Sequence, residues 1–327
     1  MSGREHFIQA ARSALAATMD VDPAVVVLGE DVRAGGPFSL TKGLSERFGD
    51  PRVRDTPICE LAFTGAAIGM ALGGGRPFVD LMFNDFVTVA SDQLINNAAK
   101  LHFMSGGRYS VPLTVWTIAG AGTRWGAHHS QHLEGWFTQV PGLKVLAPSS
   151  PAMVGASVRA ALADPDPVII VADRALLYSR EALPGDDGSP WHARIVRPGA
   201  DVTLATTGRL THLALEVAAS ADVSIEVIDL QRLAPLDVSV VVESLRTTSR
   251  LVVAHEEAAC GGLIGSLVRA VYDEAYWMLD GPVVTVSSPA TPVPAAASLE
   301  DAYMLGADDL VAGIDAAVGR TPSGASR

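Results

Sequence analysis

What most constrains this chain is a pattern that occurs twice. Short runs rich in β-branched and aliphatic residues alternate with segments of helical periodicity. The first series is VVVLGED (25–31), PFVDLMF (77–83), VPLTVWTIA (111–119), LKVLAP (143–148) and PVIIVAD (167–173), with helices predicted over 60–72, 86–104 and 151–163. The second is DVTLATT (201–207), SIEVIDL (224–230), RLVVAHE (250–256) and PVVTVSS (282–288), with helices near 209–220, 237–246 and 261–278. Strands spaced by helices require crossover connections, hence mainly parallel sheets covered on both faces. Between the series, EALPGDDGSPW (181–191) has no periodicity and is rich in Pro, Gly and Asp, which marks a boundary. The reading is an α/β chain of two domains, 1–185 and 199–327, joined by a linker over 186–198.

Composition narrows the function classes. Lys and Arg number 24 against 36 Asp and Glu, a net charge of −12 without any basic run, so a nucleic-acid or anionic-membrane surface is not expected. Only 18% of residues are charged and the mean hydropathy is +0.27, which points to a large core or to surface covered by other subunits. The segment with Arg4, Glu5 and Arg12 reads as an amphipathic helix without the apolar core of a signal peptide, and Leu61 to Gly75 is too short and Gly-rich to span a bilayer. Cys59 and Cys260 fall in different domains and read as free thiols in a reducing compartment. A cytoplasmic location is expected, and the tail TPSGASR reads as frayed.

Few motifs carry chemistry alone. Gly73–Gly75 reads as a helix end and turn, and Ala119–Gly122 is a Gly-rich loop after a strand, where ligands can approach the backbone. Trp125 to His132 places His128, His129 and His132 on that loop. Adjacent histidines point apart in most backbones and only Glu134 could complete a zinc set, so a histidine moving protons near neutral pH is the better functional reading. Glu60 opens the apolar helix LAFTGAAIGMALG. A carboxylate complementing the helix N-terminus and a carboxylate held for chemistry fit equally well. Phe83 and Phe86 flank Asn84 and Asp85 at a strand end, where core packing is the ordinary role. Asp92, Gln93, Asn96, Asn97 and Lys100 form a polar face at helical spacing.

Together, GEDV (29–32), FSLTKGLSERFG (38–49), RVRDTPICE (52–60), GGRPFVDLMFNDF (74–86), DQLINNAAKLHFMSGG (92–107), HSQ (129–131), PGLKVLAPSSP (141–151), DPDPVI (164–169), EVIDLQRLAPLD (226–237) and TPVPAA (291–296) resemble a known family. It is the beta subunit of the thiamine-diphosphate-dependent first component of 2-oxoacid dehydrogenase complexes, of pyruvate, branched-chain or acetoin type. The resemblance covers nearly the whole chain. It implies a pyrimidine-binding thiamine domain with a parallel sheet, then a smaller transketolase C-terminal α/β domain.

Residue by residue, Glu60 matches the family glutamate that hydrogen-bonds the aminopyrimidine of thiamine diphosphate, where a carboxyl favours the imino tautomer that generates the nucleophilic ylid. Phe86 matches the aromatic that packs on the pyrimidine, and His129 the histidine that moves protons during acyl transfer to a lipoyl group. His128 and His132 are then loop neighbours. The resemblance also implies a potassium site at Leu113, Ala161, Leu162, Asp164 and Asp166, with Asp166 where many members have Asn. Phe103 stands where many have Tyr and His128 where many have Gln, both expected near the site. No GDG…N motif for magnesium and diphosphate occurs in the sequence. The family's alpha subunit supplies it, so the chain is expected to act within an α2β2 heterotetramer and to be inactive alone. The implied activity is oxidative decarboxylation of a pyruvate-like or branched-chain 2-oxoacid, or cleavage of acetoin, with the acyl group passed to a lipoyl-bearing acyltransferase on the way to acyl-CoA. The alternatives are the C-terminal half of a split transketolase-like enzyme and a non-catalytic paralogue.

Overall fold

The computed structural model describes residues 5–185, 188–259 and 261–320. Arg4, Asp186, Asp187, Cys260 and the 321–327 tail, all named in the sequence reading, lie outside them. Six strands come first: β1 (Val25–Gly29), β2 (Val53–Asp55), β3 (Arg76–Phe83), β4 (Thr114–Ala119), β5 (Lys144–Leu146) and β6 (Val168–Asp173). Six more follow: β7 (Arg194–Arg197), β8 (Val202–Thr206), β9 (Ile225–Asp229), β10 (Arg232–Ala234), β11 (Leu251–Ala258) and β12 (Val284–Ser288). The first sheet runs β10-β5-β6-β4-β3-β1-β2 and the second β12-β11-β8-β9-β7. All pairings among β1 to β6 are parallel, so the carboxyl ends of these strands share one edge.

The central strands lack the in–out alternation of a half-exposed sheet because both faces are covered. Every residue of β4, β6, β8 and β9 is buried. Helix Phe7–Val21 turns Phe7, Ala11, Ala14 and Leu15 inward at helical spacing and packs on helix Pro151–Ala163. The latter starts where the sequence provides a stop and a start: Ser150 Oγ accepts from Met153 N at 3.2 Å, with Pro151 in the first turn. Helix Glu60–Leu72 occupies the span predicted for it. Among the described residues no helix is long and apolar enough to cross a membrane.

Three segments differ from the sequence reading. The helix expected over 86–104 is a 3-10 turn (Asn84–Thr88), a π-helical turn (Gln93–Ala98) and a short α-helix (Ala99–Met104). Around the π turn, Asn96 Nδ2 donates to Asp92 Oδ1 at 2.7 Å and Asn97 Nδ2 to Gln93 Oε1 at 3.3 Å. Such local side-chain bonds compete with α-helical geometry. Within the expected linker 186–198, Arg194–Arg197 is β7, paired antiparallel with β9 at the edge of the second sheet. Conversely, β10 lies beyond the expected boundary yet pairs antiparallel with β5 at the edge of the first sheet. Edge strands of three or four residues are defined by their partner's free hydrogen-bonding groups more than by their own pattern.

Candidate active site at the carboxyl edge of the first sheet

The loops that leave the carboxyl ends of β1, β2, β3 and β4 converge on one edge, the ordinary place for a site in an open parallel sheet. Gly29 ends β1 opposite Asp55 of β2 and Asp80 of β3. Glu30 follows directly, and Glu60 opens the helix that follows β2. Both carboxylates are only 8% exposed. Burial, then the charges of Glu60 and Asp31, raise the pKa of Glu30, and its Oε1 is buried without a partner. Among the described residues nothing hydrogen-bonds the Glu60 carboxylate. Asp80 completes the acidic group: burial pushes its pKa up to about 6, against the pull of a 2.9 Å hydrogen bond from Met82 N, with Glu30 adding to the rise.

Glu60 is set in an apolar surround. Pro57, Ile58, Cys59, Leu61 and Ala62 are exposed, Ile58 at 84%, and Ala66 and Gly69 continue the open face along the helix. Glu60 is thus a largely buried residue whose carboxylate oxygens still reach the surface between exposed neighbours.

The structure brings Phe86 and His129 together. Phe86 is half-buried after β3, and its ring centroid is 5.6 Å from that of His129. Phe83, 5% exposed, is a core residue as its position suggested, and it meets His129 edge-on at 4.7 Å. Phe38 and Trp125 complete the cluster, stacked on each other at 5.8 Å. Sequence reasoning missed both, and it missed Arg174. Arg174, 4% exposed after β6, holds its guanidinium 5.2 Å from the Phe83 ring and 5.5 Å from the Trp125 ring. It donates to Thr123 Oγ1 at 3.0 Å and to the His129 carbonyl. Gln131 Nε2 donates to Asp85 Oδ1 at 2.7 Å, while Asp85 Oδ2 is buried without a partner.

His128 is exposed, a loop neighbour as read. His132 is more than that. It is drawn into a buried network between the two sheets, with Nδ1 2.9 Å from Glu134 Oε1 and Nε2 3.7 Å from Glu256 Oε2. His255 of β11 reaches the same Glu134 oxygen at 3.3 Å, and Arg209 pairs with Glu256 at 2.5 Å. Burial disfavours the charged imidazole of His132, but Glu134 and then Glu256 and Asp173 outweigh it and raise its pKa to about 9. Glu134 is held well below the usual carboxylate range, against its burial, by His132 and His255. Among the described residues no group of three His, Cys, Asp or Glu could hold a metal ion.

Two placements lie away from this cluster. The five residues expected to hold potassium lie at the amino ends of β4 and β6, on the opposite edge of the sheet, where several of their oxygens accept from the chain's own donors. Leu113 O accepts from Val168 N at 2.9 Å and Ala161 O from Asp164 N at 3.2 Å. Arg76 Nη1 donates to Leu162 O at 2.8 Å, and Lys144 Nζ lies 2.7 Å from Asp164 Oδ1 and 3.0 Å from Asp166 Oδ2. Phe103, expected near the site, is 86% exposed and lines a groove of about 490 Å³ with Lys100, His102 and Pro141, apart from Phe86 and His129.

Comparison with known proteins agrees with this architecture. The family "Transketolase, pyrimidine binding domain" matches residues 6–179, and "Transketolase, C-terminal domain" matches 192–310. The chain is 38% identical to pyruvate dehydrogenase E1 component subunit beta-4, chloroplastic, of Oryza sativa subsp. japonica, over 94% of this chain and 78% of that one. It is also 38% identical to the beta subunit of acetoin:2,6-dichlorophenolindophenol oxidoreductase of Bacillus subtilis (strain 168), covering 92% and 94% of the two chains. The mitochondrial pyruvate dehydrogenase E1 subunit beta-1 of Arabidopsis thaliana is 39% identical over 92% of this chain and 86% of that one. A solved split-gene transketolase, an inactive beta4 tetramer, shares the fold with a TM-score of 0.80 at 24% identity, over 97% of this chain and 99% of its own.

Proposed function

The chain belongs to the family of transketolase-type E1 beta subunits, and on that premise we propose that it is the beta subunit of a thiamine-diphosphate-dependent dehydrogenase. Its substrate is a 2-oxoacid of pyruvate or branched-chain type, or acetoin. It acts with an alpha subunit in an α2β2 assembly and passes the acyl group to a lipoyl-bearing acyltransferase. One observation carries the reading. Glu60 is a buried carboxylate without a hydrogen-bond partner on its own chain, surrounded by exposed apolar residues. A carboxylate in that position has its acceptor sites open to a donor from a bound ligand. An aminopyrimidine, pressed in place by a second chain, supplies both the missing hydrogen bond and the cover.

The residues present fit that group. Glu60 can hold a proton at a ring nitrogen, Glu30 next to it has a buried oxygen without a partner, and the half-buried Phe86 offers an aromatic face. Thiamine diphosphate, when bound, supplies the carbon nucleophile and the electron sink for decarboxylation. Its diphosphate and magnesium are assigned to the alpha subunit, since the motif for them is absent from this sequence. His129, held between Phe83 and Phe86, is placed to give or take a proton as the acyl group moves to the lipoyl thiol. Exposed Ile58, Leu61, Ala62 and Ala66 are the surface through which a partner excludes water from Glu60.

The test is Glu60→Gln in the heteromer co-purified with its alpha subunit, assayed by reduction of 2,6-dichlorophenolindophenol with pyruvate, branched-chain 2-oxoacids and acetoin. Turnover is expected to fall by about a hundredfold or more while the heteromer still assembles. Near wild-type turnover would remove Glu60 from the reaction. The relatives at 38–39% identity favour this reading over the split-transketolase alternative.

A further inference from the structure

The loop that carries His129 is fastened from outside at two points. Arg174 holds Thr123 Oγ1 and the His129 carbonyl, as described. The second fastening comes from the other half of the chain. Glu300, in helix Ala297–Tyr303, is 0% exposed, and every bond its carboxylate makes goes to the loop. Its Oε1 accepts from Gly122 N at 2.8 Å and from Arg124 N at 3.3 Å. Its Oε2 accepts from Arg124 N at 3.0 Å and from Arg124 Nη1 at 2.7 Å. Arg124 also donates to Ala297 O at 3.1 Å and to Asp301 Oδ1 at 2.6 Å.

The backbone at these residues needs the support. Gly122 has φ +102° and Arg124 has φ +65°, a left-handed conformation that a residue with a side chain adopts at a cost. A Cβ on Gly122 would lie 3.3 Å from Met304 Cε, so the loop is seated closely on the segment that carries Glu300. Two residues past Arg124, Gly126 O accepts from His129 N at 3.3 Å. Glu300 thus holds the backbone at 122 and 124, and a further backbone hydrogen bond ties 126 to His129. A buried carboxylate that accepts only from loop amides and one guanidinium makes strong charge-assisted bonds, and it fixes a loop more firmly than neutral contacts would.

We propose that Glu300 is a positioning residue for His129, setting the path of residues 122–129 from the second sheet's side so that the imidazole stays against Phe83 and Phe86. This rests on the proton-moving role given to His129 above. Glu300→Gln removes the charge and turns one amide donor toward the Gly122 or Arg124 N–H. The loop then relaxes, and His129 loses its register with the acyl group.

The test uses the heteromer with its alpha subunit and whichever of pyruvate or acetoin the wild type turns over. Two rates are compared: dichlorophenolindophenol reduction and acyl transfer to a free lipoyl domain. Glu300→Gln is expected to lower kcat for acyl transfer by on the order of tenfold to a hundredfold, with a much smaller effect on dye reduction. Combined with His129→Ala it should add little, because both changes disable the same group. Asp301→Ala, which removes only an exposed partner of Arg124, is expected to match wild type in both assays. If Glu300→Gln does not assemble, Arg124→Ala removes the guanidinium half of the fastening and should shift the two rates in the same direction. An unchanged ratio of the two rates, or full additivity with His129→Ala, overturns the proposal. Should His129→Ala itself spare acyl transfer, the role of His129 falls. Glu300 is then judged by amide hydrogen exchange over 122–129, where faster exchange in Glu300→Gln supports the fastening and unchanged exchange overturns it.

Discussion

Asp80 offers a test of how the acidic edge of the first sheet is tuned. Its carboxyl is 4% exposed inside β3, and burial, with Glu30 assisting, pushes its pKa up to about 6 from 3.8 in the unfolded chain. A carboxyl with a raised folded pKa is most favourable to the fold below pH 3.8, and that contribution is lost as pH rises through about 6. At about 1.4 kcal/mol per pH unit, the gap between the two values amounts to about 3 kcal/mol forfeited by pH 7.5. Asp80→Asn keeps an oxygen to accept from Met82 N and abolishes the titration. The variant should therefore be more stable than wild type by about 2–3 kcal/mol at pH 7.5 and show no gain near pH 4. Urea unfolding of the purified protein at both pH values, followed by tryptophan fluorescence, measures the difference. A gain of equal size at both pH values, or a loss at pH 7.5, would refute the reasoning. A gain confined to neutral pH would mean that the chain tolerates an ionised, poorly solvated carboxylate next to Glu30 and Glu60. Stability forfeited at a site in this way is a usual mark of function.

Three further outcomes follow from other parts of the molecule. Ala66→Arg, on the exposed face of the Glu60 helix, should leave the chain folded by circular dichroism but abolish co-purification with an alpha subunit; an intact heteromer on size exclusion would move the interface elsewhere. Exchanging potassium for sodium should lower the melting temperature by several degrees, because the carbonyls of Leu113, Ala161 and Leu162 each accept one hydrogen bond and keep a lone pair for a cation, and an unchanged melting temperature would remove the expected potassium site. His132 titrates near pH 9 when folded and 6.5 when not, so its contribution is present below pH 6.5 and lost as pH rises through 9. Wild type should lose up to about 3 kcal/mol between pH 7 and 10 that His132→Gln does not lose, and parallel curves would show that the Glu134, Glu256, Asp173, His255, Glu257 and Arg209 surroundings do not hold the imidazole charged.

The residues that were legible in the sequence share a physical reason. β1, β3, β4 and β6 are buried on both faces, so each is written as an apolar run that survives any choice of neighbour. Glu60 stood out at the head of an apolar helix, where a helix-dipole role and a chemical one fitted equally well until the resemblance favoured the second. Phe86 and His129 were found through the resemblance, and the structure adds that they touch. What was not legible depends on partners far away in the chain. β10 exists because β5 has a free edge, and the π turn over Gln93–Ala98 reflects a local competition among amide side chains. His132 looked like a loop neighbour since Glu256 and His255 are more than 120 positions away. Its only local signal is Glu134 two residues on, too common a spacing to interpret. Arg174 and Glu300 escaped for the same reason: each acts on the loop from another element.

Part of the shortage of charge finds a location. Exposed Ile58 and Leu61 adjoin Glu60, whereas Leu72 ends the same helix three turns away and Phe103 lines the groove with Lys100 and Pro141. Part of the exposed apolar surface thus lies beside the acidic residues, while Phe103 lies on the other edge of the sheet and Trp277, 93% exposed, in the second half of the chain. Both features are unfavourable for an isolated chain: exposed apolar side chains forgo burial, and the Glu30 and Asp80 carboxyls resist ionisation. Two separate penalties at one edge are hard to explain as accidents of folding, since either could be relieved by ordinary polar substitutions. They are explained together if a second chain covers the apolar collar and a bound heterocycle meets the carboxylates, because one association event then relieves both.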